Sequence, residues 1–196
     1  MRARDENKER MIRQKAIEMV VKQGLDGFGV NRLAKAAGVS PATIYIYYKD
    51  KEDLIFQLGT DISKRMLADS LQDFDPDASF AEGLKKQWLN RMQFYLKHPL
   101  EVQFIEQIRY SNYYEEIQAE LSKGFREVMG KFVHNAIERK ELIPLPFEVY
   151  WSVAYAPMYQ LIKFHNQGKT FTGRKFSLND KTILQTLQLV LKALKP

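Results

Sequence analysis

The segment from Leu33 to Leu54, LAKAAGVSPATIYIYYKDKEDL, limits the possible folds more than any other part of this 196-residue chain. Val30, Leu33, Ala34 and Ala37 recur at i, i+3, i+4 and i+7, the repeat of a helix with one buried face. Gly38 follows where a helix stop needs φ > 0, and Val39 is the apolar residue expected under the turn. Ser40 is placed to cap a second helix, with Pro41 at its first position, where a missing N–H is harmless. The spacing predicts that helix from Pro41 to about Tyr48. Ile44 and Tyr48 should face inward, leaving Ala42, Thr43, Tyr45 and Tyr47 outward. Two helices joined by a tight glycine turn can lay the second in a DNA groove.

Three tyrosines in eight residues make an unusual solvent face. A phenol there can donate to a phosphate oxygen and lay its ring on deoxyribose. From residue 8 to about 56 the chain resembles the N-terminal domain of the TetR family of bacterial transcriptional repressors. Leu33-Ala34, Ala37-Gly38-Val39-Ser40, Thr43, Tyr45, the pair Tyr47-Tyr48, Lys51 and Leu54 carry the resemblance. It implies that Thr43, Tyr47 and Lys51 contact phosphate, and that Asn31, Pro41, Ala42 and Tyr45 approach bases. Ser40 and Lys49 complete the expected DNA-facing set. One departure is Gly29, which stands where the family's Thr or Ser caps the helix before the turn, so a hydroxyl that could touch phosphate is missing.

Charge follows the same division. Residues 1–51 hold eleven Lys+Arg against six Asp+Glu, whereas residues 52–196 hold nineteen against eighteen. Nearly all of the net +6 therefore lies with the two-helix motif, where it favours counterion release from DNA. The absence of cysteine excludes disulfides and thiolate metal sites. Met1 to Arg13 is too charged for a secretory segment, and no apolar run reaches membrane-spanning length. A cytoplasmic protein is expected, with no membrane partner.

The remaining periodicity predicts an all-α fold of about nine helices. Residues 1-50 would form a three-helix helix-turn-helix DNA-binding domain, and residues 51-196 a larger ligand-binding and dimerisation domain. The first helix should run from about Lys8 to Gln23, and the fourth, from about Lys51 to Gln72, would link the two domains. Asp73 to Ser79, DFDPDAS, is the expected internal boundary. Later helices are expected over about Phe80–Leu96, Leu100–Ser111, Tyr114–Lys140, Phe147–Asn166 and Leu178–Leu194, with Pro157 kinking the penultimate one.

Seventeen of the twenty-four aromatics fall within residues 80–171. Aromatics interleaved with methionines suit an adaptable chamber, although an ordinary aromatic core would read the same way. The pocket candidates are Trp88, Met92, Tyr95, Phe104, Gln107, Tyr110, Phe125, Met129, Trp151, Tyr155 and Tyr159, with Gln107 as the orienting polar group. The last two helices supply the expected homodimer interface: Trp151, Met158, Ile162, Ile183, Leu187, Val190, Leu191 and Leu194.

The three histidines, His98, His134 and His165, show no metal-ligand spacing, and no glycine-rich phosphate loop follows a strand. No catalytic residue, metal or cofactor is expected. Three readings remain: a repressor released from a palindromic operator on double-stranded DNA by a small apolar or amphipathic effector, a constitutive DNA-binding dimer, and a helical dimer without DNA binding.

Overall fold

The computed structural model describes residues 5–196, apart from the side chains of 120, 122 and 123. The described residues form ten helices: α1 (Glu6–Gln23), α2 (Val30–Ala37), α3 (Pro41–Ile44), α4 (Lys51–Ser70), α5 (Phe80–Lys97), α6 (Pro99–Ile108), α7 (Asn112–Glu138), α8 (Phe147–Ala154), α9 (Ala156–Gln167) and α10 (Asp180–Leu194). None of them is long and apolar enough to cross a membrane.

Two compact units result, and they do not follow a single cut after residue 50. One comprises Met1–Arg65 with His98–Ser122, and the other Met66–Lys97 with Lys123–Pro196. The first four residues of the expected DNA-binding domain lie outside the described residues. The chain passes between units three times, within α4, before α6 and within α7.

In the first unit, Asp5 caps α1 by accepting from the Asn7 and Lys8 amides. Ile12, Ala16, Met19 and Val20 form its buried face, which packs against α2 and α6. Helix α4 starts on a reciprocal cap. Asp50 Oδ1 accepts from the Asp53 amide at 2.8 Å, and Asp53 Oδ2 accepts from the Lys49 amide at 2.8 Å. Hydrogen bonds from Gln57 and from that amide hold the Asp53 carboxyl below its ordinary pKa. Leu54, Ile55, Leu58 and Ile62 are completely buried. Gly59 lies among them because a Cβ there would collide with the tips of Ile108 and Ile117.

The second unit buries Trp88, Phe132, Tyr155, Met158, Leu187 and Leu194, among others, in one core. Ser79 and Glu82 form a second reciprocal cap at the start of α5. The Asp73–Ser79 stretch is not the expected boundary. Asp77 pairs with Lys131 at 2.6 Å and with Asn135 at 2.7 Å, while Arg139 donates to the carbonyls of Asp77 and Ala78. Proline and aspartate there mark a loop stitched onto α7 within one unit.

Pro157 does more than bend a helix. The expected Phe147–Asn166 helix is split into α8 and α9 at Tyr155, which lies at φ −123°, ψ −31°. Trp88 Nε1 donates to the Ala154 carbonyl at the break, at 2.8 Å. A buried carbonyl at the end of α8 thus gains a partner from α5. His165, in the last turn of α9, accepts from the Leu178 amide at 3.2 Å through Nδ1.

Gly59→Ala should destabilise the protein by about 1–3 kcal/mol, since the isoleucines opposite must leave their rotamers. Urea denaturation followed by circular dichroism measures this, and a change below the error of extrapolation would contradict the close approach.

Candidate nucleic-acid interface

The turn has the backbone its residues predict. Gly38 is left-handed at φ 65°, ψ 32°, and its amide bonds the carbonyls of Ala34 and Lys35. The Val39 amide bonds the Ala34 carbonyl at 3.0 Å. Gly29 caps α2 with backbone alone. Ser40 Oγ accepts from the Thr43 amide at 3.2 Å and lies 2.9 Å from Thr43 Oγ1, with Pro41 in the first turn.

Helix α3 is much shorter than the expected Pro41–Tyr48. Only Pro41–Ile44 is α-helical, and the chain then tightens, with the Ile46 amide bonding the Thr43 carbonyl and the Tyr47 amide bonding that of Ile44. The i→i+3 bonds rotate the following side chains relative to an α-helix. Ile44 and Tyr48 face inward as expected, with Leu33 and Ala34 beneath them also buried. Burial raises the pKa of the Tyr48 phenol, and the Arg13 guanidinium partly opposes the rise.

Tyr47 corrects the expectation. It is 7% exposed, not outward, and its hydroxyl donates to the Asp5 carbonyl at 3.1 Å and accepts from the Asp5 amide at 3.0 Å. The phenol assigned to phosphate ties the start of α1 to the end of the turn. Lys51, also assigned to phosphate, is half-buried. Its Nζ donates to the Leu25 carbonyl at 3.3 Å and stands 5.9 Å from the centre of the Phe28 ring.

Asn31, Ser40, Pro41, Ala42, Tyr45 and Lys49 are exposed, and Thr43 is half-buried beside Ser40. Tyr45 leaves 56% of its surface in solvent. Arg32 and Lys35, exposed on α2, add cations that the motif reading passed over. Their spacing, three apart on a short helix before the turn, was the available signal.

The pocket candidates separate. Phe104, Gln107 and Tyr110 belong to the first unit: Phe104 is buried there, Gln107 is exposed and Tyr110 is 95% exposed. They fall in a different unit from the other candidates. Trp88, Met92, Tyr95, Phe125, Met129, Trp151, Tyr155 and Tyr159 do gather in the second unit's core or against it. At their centre is a residue the sequence reading omitted, Arg91. Its guanidinium carbon lies 5.6 Å from the Phe125 ring centre, 5.3 Å from that of Trp151 and 5.1 Å from that of Tyr155. Cation–π contacts of this kind are worth up to about 2 kcal/mol each when desolvated. An unpaired buried charge costs several kcal/mol, on the order of the three contacts together.

The expected interface residues also need correction. Met158, Ile162, Ile183, Leu187, Val190 and Leu194 are buried in their own chain's core, with Trp151 and Leu191 packed against it. Helix α10 covers its broad aliphatic face on α8 and α9. Its exposed apolar residues are Leu184 and Leu189, at 44% and 62% exposure.

Residues 12–58 match the model of the bacterial regulatory proteins of the tetR family. A helix-turn-helix transcriptional regulator of Haemophilus influenzae is 31% identical over 81 residues, 41% of this chain and 43% of that protein. The fatty acid metabolism regulator protein of Bacillus subtilis is 32% identical over 69 residues, 35% of this chain and 36% of its own. The chain thus spans less than half the length of these curated relatives. A TetR family transcription regulator of Marinobacter aquaeolei superposes with a TM-score of 0.83 at 28% identity, covering 100% of this chain and 99% of the other. The architecture is that of a helix-turn-helix transcriptional regulator. Residues 12–58 carry the N-terminal domain of the tetR family, and the whole chain has the fold of a TetR family regulator.

Tyr47→Phe keeps the packed ring and removes the hydroxyl bridge. A loss of about 1 kcal/mol in unfolding free energy is expected. It is read from the urea midpoint at unchanged slope. An unaltered midpoint would show that the bridge contributes nothing.

Proposed function

We propose that the protein is a cytoplasmic repressor that binds a palindromic operator as a homodimer and leaves it when a small molecule occupies the second unit. The observation that carries this reading is the exposed set Ser40, Pro41, Ala42 and Tyr45 beside the Gly38 turn. It is flanked by the exposed cations Arg32, Lys35 and Lys49. Pro41, Ala42 and Tyr45 are the base-facing residues in this reading, with Asn31 beside them. Ser40, Thr43 and Lys49 position the backbone, supported by Arg32 and Lys35.

Dimerisation is assigned to the outer side of α10, through Leu184 and Leu189, together with Phe147 and Val149 of α8, which are 61% and 45% exposed. Two copies would place their α3 helices in successive major grooves about 34 Å apart. Release requires that an effector bind the DNA-incompetent arrangement more tightly. A hundredfold preference supplies roughly 2.7 kcal/mol of coupling. Helices α4 and α7 each contribute residues to both units and are covalent routes for that coupling. A constitutive DNA-binding dimer is the alternative, distinguished by insensitivity to every small molecule.

Selection of bound duplexes from a random library supplies the operator. On the selected duplex, Tyr45→Ala should change the preferred bases. Lys49→Ala should weaken all duplexes about equally and lower the salt slope by about one. No enriched sequence, or identical effects of the two substitutions, would reject the assignment.

Leu184→Glu combined with Leu189→Glu should give monomers in sedimentation and lose the palindrome preference while retaining the native circular dichroism. An unchanged dimer mass places the interface elsewhere.

A further inference from the structure

Among the described residues, Arg91 is the charged group set within the second unit's aromatic core. The residue is half-buried overall, but Nη2 is shut off from solvent and has no hydrogen-bond partner among the described residues. No carboxylate pairs with it among them. Two of its five N–H groups are used. Nε donates to Gln87 Oε1 at 3.2 Å, and Nη1 donates to the Tyr159 hydroxyl at 3.1 Å.

The surroundings hold the guanidinium in place without neutralising it. Gln87 is completely buried and anchored by its own donation to the Ser70 carbonyl at 2.7 Å, which leaves its oxygen aimed at Arg91. Gln87, Arg91 and Tyr95 recur every four residues along one face of α5. They meet Trp151, Tyr155 and Tyr159, which recur every four residues across the break between α8 and α9. The Tyr155 hydroxyl beside them is also buried, with the Tyr150 hydroxyl as its neighbour. Phe125, Trp151, Tyr159 and Tyr95 are only half-buried, so the walls of this box reach the surface.

Folding gives little reason for a cation here. An apolar residue of similar volume would fill the place without the desolvation penalty. A planar fork with a free edge, walled by rings, matches an anion that has a flat or extended apolar body. One guanidinium and no second cation in the contact set favour a single negative charge, a carboxylate over a phosphate monoester.

We infer that Arg91 is the anchor of an effector site for organic monocarboxylates, their carboxylate on the free Nη2 edge and their apolar body against Phe125, Trp151 and Tyr155. This deepens the regulatory reading above and rests on it for its consequence at the operator. Gln87 and Tyr159 are positioning residues that hold the fork in one orientation.

The test uses the full chain with straight-chain carboxylates of six to twelve carbons and phenyl-substituted carboxylates, each matched to its primary alcohol. Thermal unfolding reads binding, and release of the selected duplex reads regulation. The wild type should be stabilised by at least one carboxylate at concentrations tenfold or more below its alcohol. Arg91→Met should lose that difference. Retention of the acid–alcohol difference in this variant, whatever its ligand-free midpoint, would mark a purely structural arginine.

Arg91→Lys, which keeps the charge without the fork, should weaken carboxylate binding at least tenfold, and it serves as the measured variant where the methionine form does not fold. Equal responses to acid and alcohol, no response to any carboxylate, or an undiminished response in the lysine variant overturns the inference. Failure of the ligand-free wild type to bind any duplex refutes the regulatory reading separately, because carboxylate stabilisation is measured without DNA.

Discussion

The left-handed residue at Gly38 is the constraint on which the DNA-facing surface depends. It turns α2 into α3 within three residues, and the Ser40 cap then begins α3 without leaving its first amides unpartnered. Leu33, Ala34, Ile44 and Tyr48 can then share one interior. Once those four point inward, the exposed positions follow from helical geometry, and Ala42 and Tyr45 have nowhere else to go. A side chain with a Cβ at position 38 would be strained at that φ whatever space surrounded it.

The same interior determines how Tyr47 is used. After Ile44 the chain tightens to i→i+3 bonds, which turns the ring of Tyr47 under the start of α1. Its hydroxyl then satisfies both backbone groups of Asp5, whose own side chain caps α1. The first helix and the turn are thereby fastened at one point. Lys51 makes a comparable tie to the loop after α1 through the Leu25 carbonyl. Both residues, which the motif sends to DNA, also make ties within the chain, and Arg32, Lys35 and Lys49 are exposed cations nearby.

In the second unit a single proline has a larger effect than its missing amide suggests. Pro157 divides one long hydrophobic segment into α8 and α9, and the break exposes a carbonyl that Trp88 takes up. The break also orders Trp151, Tyr155 and Tyr159 opposite the Gln87–Arg91–Tyr95 face. A charge surrounded by rings is the consequence. The aliphatic faces of α9 and α10 close the core beneath it, so Ile162, Ile183, Leu187 and Leu194 are already consumed within the chain.

Helix positions and the turn chemistry were legible in the chain itself, because glycine stops, hydroxyl caps and 3.6-residue periodicity act over a few residues. Gly38, Ser40, Pro41 and Asp50 take the roles that their local chemistry demands. Which helices belong together was not legible, and α6 joined the first unit, with Phe104, Gln107 and Tyr110 in that unit. An aliphatic stripe such as that of α10 says that a face is buried, but not whether its own chain or a second copy does the burying. Arg91 was invisible for a related reason. A charged residue on a helix is ordinarily solvated, and only the meeting of α5 with α8 and α9 removes this one from water, because desolvation depends on neighbours distant in sequence.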